Sequence, residues 1–201
     1  MNDPRQRGRP RTFDRNALLD AALEQFWLRG FDGASISELT AASGCTAPTL
    51  YAQFGSKEGL FEAAVGRYVE LAFGARTEML AGGPADRKAL EEMLVATIEA
   101  STAADHPPGC LILTGGLVGA GTAPAGAIAS VRAFILAGFQ RFLARAQETG
   151  HLGPCDVDAL ARFYMSVAQG IAAQAVDGAT REQLTPLVEM ALKAWPASQN
   201  R

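Results

Sequence analysis

The chain of 201 residues is poor in the side chains that build redox, metal and catalytic sites, with only three cysteines and two histidines. Three cysteines without paired spacing do not form a disulfide framework, which favours a reducing, cytoplasmic setting. The two histidines, His106 and His151, lack the spacing of metal ligands, so we expect no metal and no other cofactor. Because no G-x-S-x-G or Walker sequence is present, we do not expect an enzyme.

Long apolar runs are also missing. No stretch contains 18 or more uninterrupted apolar residues, so the sequence predicts no transmembrane helix and no membrane partner. The polar N-terminal region lacks the apolar segment of a secretory signal. Residues 58–201 are rich in alanine and glycine and poor in β-branched runs, which favours helix over strand. The composition predicts an all-α protein.

The charge is distributed unevenly along the chain. The formal net charge is −3, but five arginines lie within the first fifteen residues, against two aspartates. This arm, residues 1–12, includes Arg9 and Arg11, which would suit contacts with a DNA backbone or a narrow minor groove. A solvated tail without a partner is the alternative interpretation.

Residues 35–60 carry the most specific pattern in the chain. Ser35 and Glu38 form an S-x-x-E capping box, which marks a helix start. Gly44 stands where a chain leaving a helix adopts a positive φ angle. Thr46 is a suitable N-cap for a second helix, with Pro48 in its first turn. Two short helices joined by a glycine turn indicate a helix-turn-helix, whose second helix enters a DNA major groove.

This segment resembles the DNA-binding domain of the tetracycline-repressor-type (TetR) family, whose pattern is roughly I-x-x-I-A-x-x-A-G-V-S-x-x-T-L-Y-x-H-F-x-S-K-E-x-L. The matching residues are Ile36, Leu39, Gly44, Thr46, Thr49, Leu50, Tyr51, Phe54, Ser56, Lys57, Glu58 and Leu60. The departures are Thr40, Ser43, Cys45 and Gln53, of which Gln53 replaces the usual histidine or tyrosine. With the preceding helix, the resemblance covers about residues 9–65.

The resemblance and the helical periodicity together predict three parts. These are the basic arm, a three-helix DNA-binding domain at residues 13–57, and a helical ligand-binding and dimerisation domain at residues 58–201, with about nine helices in all. Lys57 would hold a phosphate, as the resemblance implies. The residues expected to contact DNA are Arg9, Arg11, Ser35, Thr46, Ala47, Pro48, Thr49, Tyr51 and Lys57.

In the family, the helices corresponding to about residues 68–170 enclose a ligand pocket. The candidate lining residues here are Phe73, Met79, Met93, Ile98, Leu113, Leu117, Phe134, Phe139 and Tyr164. Apolar side chains at helical spacing pack as core by default, which is the alternative interpretation for each of them. Because buried charges are sparse in this region, the expected effector is a small apolar or aromatic molecule.

Residues 157–176 are apolar on more than one face, which suits a helix shared between two chains. The resemblance likewise implies a homodimer through the last two helices, reading a palindromic operator; a fully buried helix in a monomer is the alternative.

Cys110, in a P-G-C-L segment, offers a second mode of regulation. A similar segment occurs in one branch of the family, and in some members a cysteine there senses electrophiles or oxidants. A helix N-terminus favours a thiolate, and neighbouring His106 would add to this. An inert, buried thiol is the alternative.

The sequence therefore predicts a ligand-responsive DNA-binding regulator, most simply a repressor. The alternatives are a thiol-based redox or electrophile sensor using Cys110, an architectural DNA binder without a ligand, and, more remotely, an enzyme.

Overall fold

The computed structural model describes the backbone of residues 14–114 and 123–198, and the side chains of these residues except 73–81, 114, 123 and 124. Within these ranges it contains nine helices and no strand, which confirms the predicted all-α class. The helices are α1 (Arg15–Gly33), α2 (Ile36–Ser43), α3 (Ala47–Phe54), α4 (Lys57–Gly82), α5 (Arg87–Thr102), α6 (Leu111–Thr114), α7 (Ala123–Glu148), α8 (Val157–Val176) and α9 (Arg181–Leu192).

The starts of the first helices follow from their capping residues. The Asp14 carboxylate accepts hydrogen bonds from the backbone N–H groups of Asn16 and Ala17, at 3.0 and 3.1 Å. Ser35 and Glu38 form both halves of the capping box that starts α2. Thr46 accepts from the backbone N–H of Thr49 at the start of α3. Each cap satisfies a backbone donor that the helix itself leaves without a partner.

Glycines with positive φ shape the first two helices. Gly44 (φ 64°) closes α2 in the left-handed region, as its position predicts. Gly30 lies within α1, where its φ of 70° breaks the helical geometry, and the helix resumes to Gly33. Only one turn follows the break, so α1 and α2 remain close neighbours.

The first three helices and the start of α4 share one core, which we call the reader unit. Leu39 and Leu50 are buried in this core. The partly buried side chains of Phe31, Ile36 and Phe54 pack against it. The Phe26 and Phe61 rings meet edge to face with centroids 5.0 Å apart, joining α1 to α4. This core fixes the orientation of α3.

The remaining helices form the helical body. Helix α4 continues from the reader unit into this body, where it packs against α7; α5 packs against α8 and α9, and α7 against α8. Helix α6 is described at Leu111–Thr114, where the first described range of the chain ends.

One helix among the described residues, at Ala125–Glu148, is long and apolar enough by composition to cross a membrane. A core helix passes the same test, and this one packs against α4 and α8. It also carries three arginines, at 132, 141 and 145, and arginine inside a bilayer is costly. We therefore interpret α7 as part of the helical body.

Candidate nucleic-acid interface and effector cavity

Helix α3 presents a small outward face. Leu50 is completely buried and anchors the helix to the reader unit. Pro48, Tyr51 and Ala52 are exposed and recur at the i, i+3, i+4 spacing that puts them on one side of the helix. The Tyr51 side chain is 46% exposed although its ring is large and apolar. A single anchored helix with a short exposed face has the dimensions that suit a major groove.

The hydroxyl groups predicted to contact DNA are already engaged within the protein. Thr46 and Thr49 share a hydrogen bond of 2.9 Å between their hydroxyl oxygens. The Ser35 hydroxyl donates to the Glu38 carboxylate at 2.7 Å. Ala47 and Thr49 are half-buried, so they lie at the edge of the exposed face. A hydroxyl retains acceptor capacity after donating one bond, so these groups are still able to accept or share bonds with DNA.

Lys57, at the first position of α4, lies beside α2 and α1. Its Nζ atom stands 4.4 Å from the centroid of the Phe31 ring. Its charge also contributes to lowering the pKa of Glu38, after the larger effects of hydrogen bonds from the Ser35 backbone and hydroxyl. Packing against Phe31 limits the freedom of the lysine chain, which reduces the entropy lost when the ammonium group binds a phosphate.

The two arginines of the predicted arm, Arg9 and Arg11, lie outside the described residues. Arg15, at the start of α1, is the nearest described arginine, and its guanidinium carbon stands 5.2 Å from the Phe54 ring centroid at the end of α3. Arg15 is one of the five arginines within the first fifteen residues. Its position beside α3 could not be predicted, because nothing in the sequence spacing connects it to Phe54.

The structure brings three of the candidate ligand residues to one cavity in the helical body. Met93, Leu113 and Phe139 line a cavity of about 40 Å³, together with Tyr68 and Cys110. The lining is mostly apolar, and Thr97 and Ser101 supply hydroxyl groups. Because this volume holds little more than a few water molecules, a larger ligand would require the surrounding helices to move.

The other described candidates do not line this cavity. Ile98 and Tyr164 are core residues with 2% and 0% exposure. Phe134 lies on the outside of α7, where its ring is 51% exposed and Arg141 stands over it. Helical spacing places a residue on one face of its helix but does not show which face borders a cavity. The sequence therefore could not distinguish cavity-lining residues from core residues among these candidates. The side chains of Phe73, Met79 and Leu117 lie outside the described residues.

Cys110 is 5% exposed and lies directly before α6. The Tyr68 hydroxyl donates to its sulfur over 3.0 Å. Nearby, the Arg132 guanidinium donates to the carbonyls of Ile112 and Leu113, at 2.6 and 3.0 Å, and burial lowers its pKa. The His106 ring stacks on Trp27 with centroids 4.8 Å apart.

Trp27 of α1 is partly buried against the core. Trp27 lines a cleft between α1 and the helical body, together with Asp20 and Glu24. Sequence reasoning did not find this cleft, although Asp20, Glu24 and Trp27 share one helical face at i, i+4, i+7 spacing.

Comparison with known proteins agrees with this architecture. The family model for bacterial regulatory proteins of the tetR family matches residues 18–64, which span the reader unit. The transcriptional repressor ComR of Escherichia coli K12 is 35% identical over 197 residues, covering 96% of this chain and 93% of ComR.

Solved structures show the same likeness over the whole length. A CifR cysteine mutant, a TetR family transcriptional regulator complexed with 26-bp operator DNA, superposes with a TM-score of 0.87 at 39% identity, covering 94% of this chain and 100% of CifR. Reduced E. coli NemR shares the fold with a TM-score of 0.80 at 19% identity, covering 92% of this chain and 98% of NemR. The chain belongs to the TetR family of bacterial regulatory proteins, and it is a helix-turn-helix DNA-binding transcriptional regulator.

Proposed function

We propose that this regulator is a cytoplasmic repressor that binds a palindromic operator as a homodimer and is released by a small apolar or aromatic ligand. The observation that carries the proposal is the exposed face of α3, held by the buried Leu50 at the surface of the reader unit. Each subunit would place this helix in the major groove of one half-site, so the spacing of the two reader units decides whether both fit.

The residues proposed to contact DNA divide into two groups. Tyr51 and the hydroxyl groups of Thr46 and Thr49 are placed to meet phosphates or base edges, and Ala47 and Pro48 to make apolar contacts with bases. Ser35 and Lys57 stand at helix starts, where backbone N–H groups and positive charge favour phosphate. Phosphate contacts fix the register of α3, while base contacts select the sequence.

The proposed effector site is the cavity lined by Met93, Leu113 and Phe139. Tyr68 borders this cavity and also meets the Trp27 ring of α1 edge to face, with centroids 5.0 Å apart. A ligand that enlarges the cavity would therefore press on α4, which continues into the reader unit. The ligand needs only to bind the non-DNA arrangement better by a few kcal/mol to release the operator.

The proposed dimer interface consists of α8 and α9. These helices expose large apolar side chains, including Phe163 (41%), Val176 (51%) and Met190 (60%). Large apolar side chains exposed on two neighbouring helices favour a surface that another chain covers. A two-fold interface of this kind would give the paired readers that a palindromic site requires.

The experiment is a titration of the purified protein against the DNA upstream of its own gene, at several salt concentrations and with competitor DNA. Tyr51→Ala and Lys57→Ala are each expected to weaken operator binding about tenfold. Lys57→Ala is also expected to make the binding constant depend less steeply on salt concentration, by an amount that corresponds to about one lost phosphate contact per subunit. Lys88→Ala is the matched control, because this lysine lies on α5 with an 80% exposed side chain. Unchanged affinity in both reader variants, with thermal stability retained, would contradict the assignment.

Cys110 supports a second candidate function, thiol-based sensing. The specific observation is that its sulfur lines the effector cavity and accepts a hydrogen bond from Tyr68. Modification of this thiol would add atoms to its sulfur, and a cavity of about 40 Å³ has little free volume to hold them. If the candidate is right, Cys110→Ser releases operator normally with ligand but no longer with oxidant or electrophile; an oxidant response retained by this variant would exclude it.

A further inference from the structure

A second and larger cleft, of about 530 Å³, lies between the reader unit and the helical body. Helix α1 forms one wall, helix α4 another, and the end of α5 with the segment after it the third. This volume lies within the range of small-molecule sites, and clefts between domains are common places for them. We call it the interdomain cleft.

Aromatic rings form much of the interdomain cleft. Trp27 meets Tyr68 edge to face, with centroids 5.0 Å apart, and stacks on His106 with an angle of 22° between the rings. Aromatic faces carry negative charge density and attract cations, most strongly when the ring is tryptophan.

The charged groups that line the cleft are mainly acidic. Asp20, Glu24 and Asp105 contribute carboxylates, and no lysine or arginine is among the described lining residues. Arg67 neutralises Asp20 across a distance of 2.8 Å. Asp105 lies 3.8 Å from His106 Nε2. Glu24 forms no ion pair with any described residue, so its charge remains available to a cation entering the cleft.

The indole of Trp27 also has an unfulfilled hydrogen bond. Its Nε1 atom is buried and has no partner among the described residues. A buried donor without an acceptor destabilises the folded protein, and an acceptor supplied by a ligand would recover this loss. The cleft therefore combines aromatic rings and one unpaired carboxylate, and the indole in its wall holds a buried donor without an acceptor.

We propose that the interdomain cleft is a second small-molecule site, which adjoins the effector cavity across Tyr68 and binds a small organic ammonium ion carrying a hydrogen-bond acceptor. The ammonium group lies against the Trp27 and Tyr68 rings near the Glu24 carboxylate, and the acceptor receives the Trp27 Nε1–H. Because the ligand contacts both α1 and the helical body, its binding changes the affinity for operator DNA.

Choline and its neutral isostere 3,3-dimethylbutan-1-ol form a matched pair of probes, since they differ in the charged nitrogen alone. In calorimetric titrations of the full-length protein, choline is expected to bind at least about tenfold more tightly than the alcohol. In ¹⁵N NMR spectra, the indole signal of Trp27 is expected to shift while that of Trp195, which donates to the His151 carbonyl, stays in place. Equal affinities for the two probes, or no shift at Trp27, would overturn the proposal.

Three variants locate the site. Glu24→Gln is expected to weaken choline binding about tenfold or more, whereas Glu62→Gln, at an exposed carboxylate of α4 outside the cleft, leaves it unchanged. Phe139→Ala alters the effector cavity and is also expected to leave choline binding unchanged. Choline affinity that is lost in Phe139→Ala and kept in Glu24→Gln would place the ion in the effector cavity and overturn the proposal. None of these readouts depends on operator binding.

Discussion

Tyr164 of α8 illustrates how one hydroxyl group affects stability. The side chain is fully buried, and its hydroxyl oxygen has no hydrogen-bond partner among the described residues. Burial is the main cause that raises its pKa to about 12. A raised tyrosine pKa means that the neutral form is favoured in the folded state, so stability is complete below about pH 10 and is lost as the pH rises towards 12.

Replacing this tyrosine removes both effects. Tyr164→Phe is expected to raise the free energy of unfolding at neutral pH by about 1 kcal/mol, because an unpartnered polar atom leaves the core. It is also expected to reduce the loss of stability between about pH 10 and pH 12. Denaturant titrations at several pH values measure both quantities, with the exposed Tyr51→Phe as control. A variant less stable than the parent at neutral pH would show that the hydroxyl has a partner after all.

Glu38 of the capping box has the opposite pH dependence. Hydrogen bonds from the Ser35 backbone N–H and hydroxyl, aided by Arg29 and Lys57, lower its carboxyl pKa. A lowered pKa contributes stability that is present above the usual glutamate range and is lost as the pH falls through and below it. We expect Glu38→Gln to reduce the loss of stability that the parent shows below about pH 4.5. Glu91→Gln, at an exposed position of α5, is expected to leave this loss unchanged. Identical acid transitions in parent and Glu38→Gln would contradict this.

At the level of single residues, sequence reasoning found the helix caps but not the cavity lining. Ser35, Glu38 and Gly44 act through neighbours at most three positions away, so their roles can be read from local spacing. Phe134 and Phe139 both belong to the apolar pattern of α7, yet only Phe139 lines the cavity. The difference depends on which helices surround α7, and local spacing does not contain that information.

Between helices, the joint of α3 and α4 depends on Gly59. A Cβ atom at this position would lie 2.2 Å from the Phe54 carbonyl oxygen, so the last residue of α3 and the first turn of α4 meet without room for a side chain. Since α3 carries the exposed reader face, a change at this joint would move it relative to the helical body.

Gly59→Ala and Gly66→Ala make a matched pair within α4. Gly59→Ala is expected to destabilise the protein by about 1–3 kcal/mol through overpacking, and to weaken operator binding. At Gly66 nothing lies within 4 Å of the added atom, so Gly66→Ala is expected to stabilise the helix by about 0.5–1 kcal/mol. Thermal unfolding and operator titration measure both. Equal effects of the two substitutions would show that the α3–α4 contact does not restrict position 59.

For the whole molecule, the prediction to test is that two chains form a dimer through α8 and α9. Phe163→Asp would place a charge at an exposed apolar position of α8, where a partner chain would leave it unsolvated. We expect this variant to run at the mass of one chain, 21.1 kDa, and to lose most of its operator affinity. Phe134→Asp on α7, another exposed phenylalanine, is expected to keep the dimer. Light scattering after size exclusion distinguishes the outcomes, and an unchanged mass for Phe163→Asp would exclude this interface.

The amino-acid sequence by itself determined the all-α class, the starts of the helices and the position of the helix-turn-helix. These features depend on hydrogen bonds and periodicities within a few residues, so the local order of side chains suffices to define them. Only the tertiary structure decided which apolar residues line the effector cavity, that Lys57 packs on Phe31, and that Trp27 faces a cleft with His106. The last two contacts join residues that are 26 and 79 positions apart in the chain, and the geometry of all three arrangements depends on how whole helices pack together.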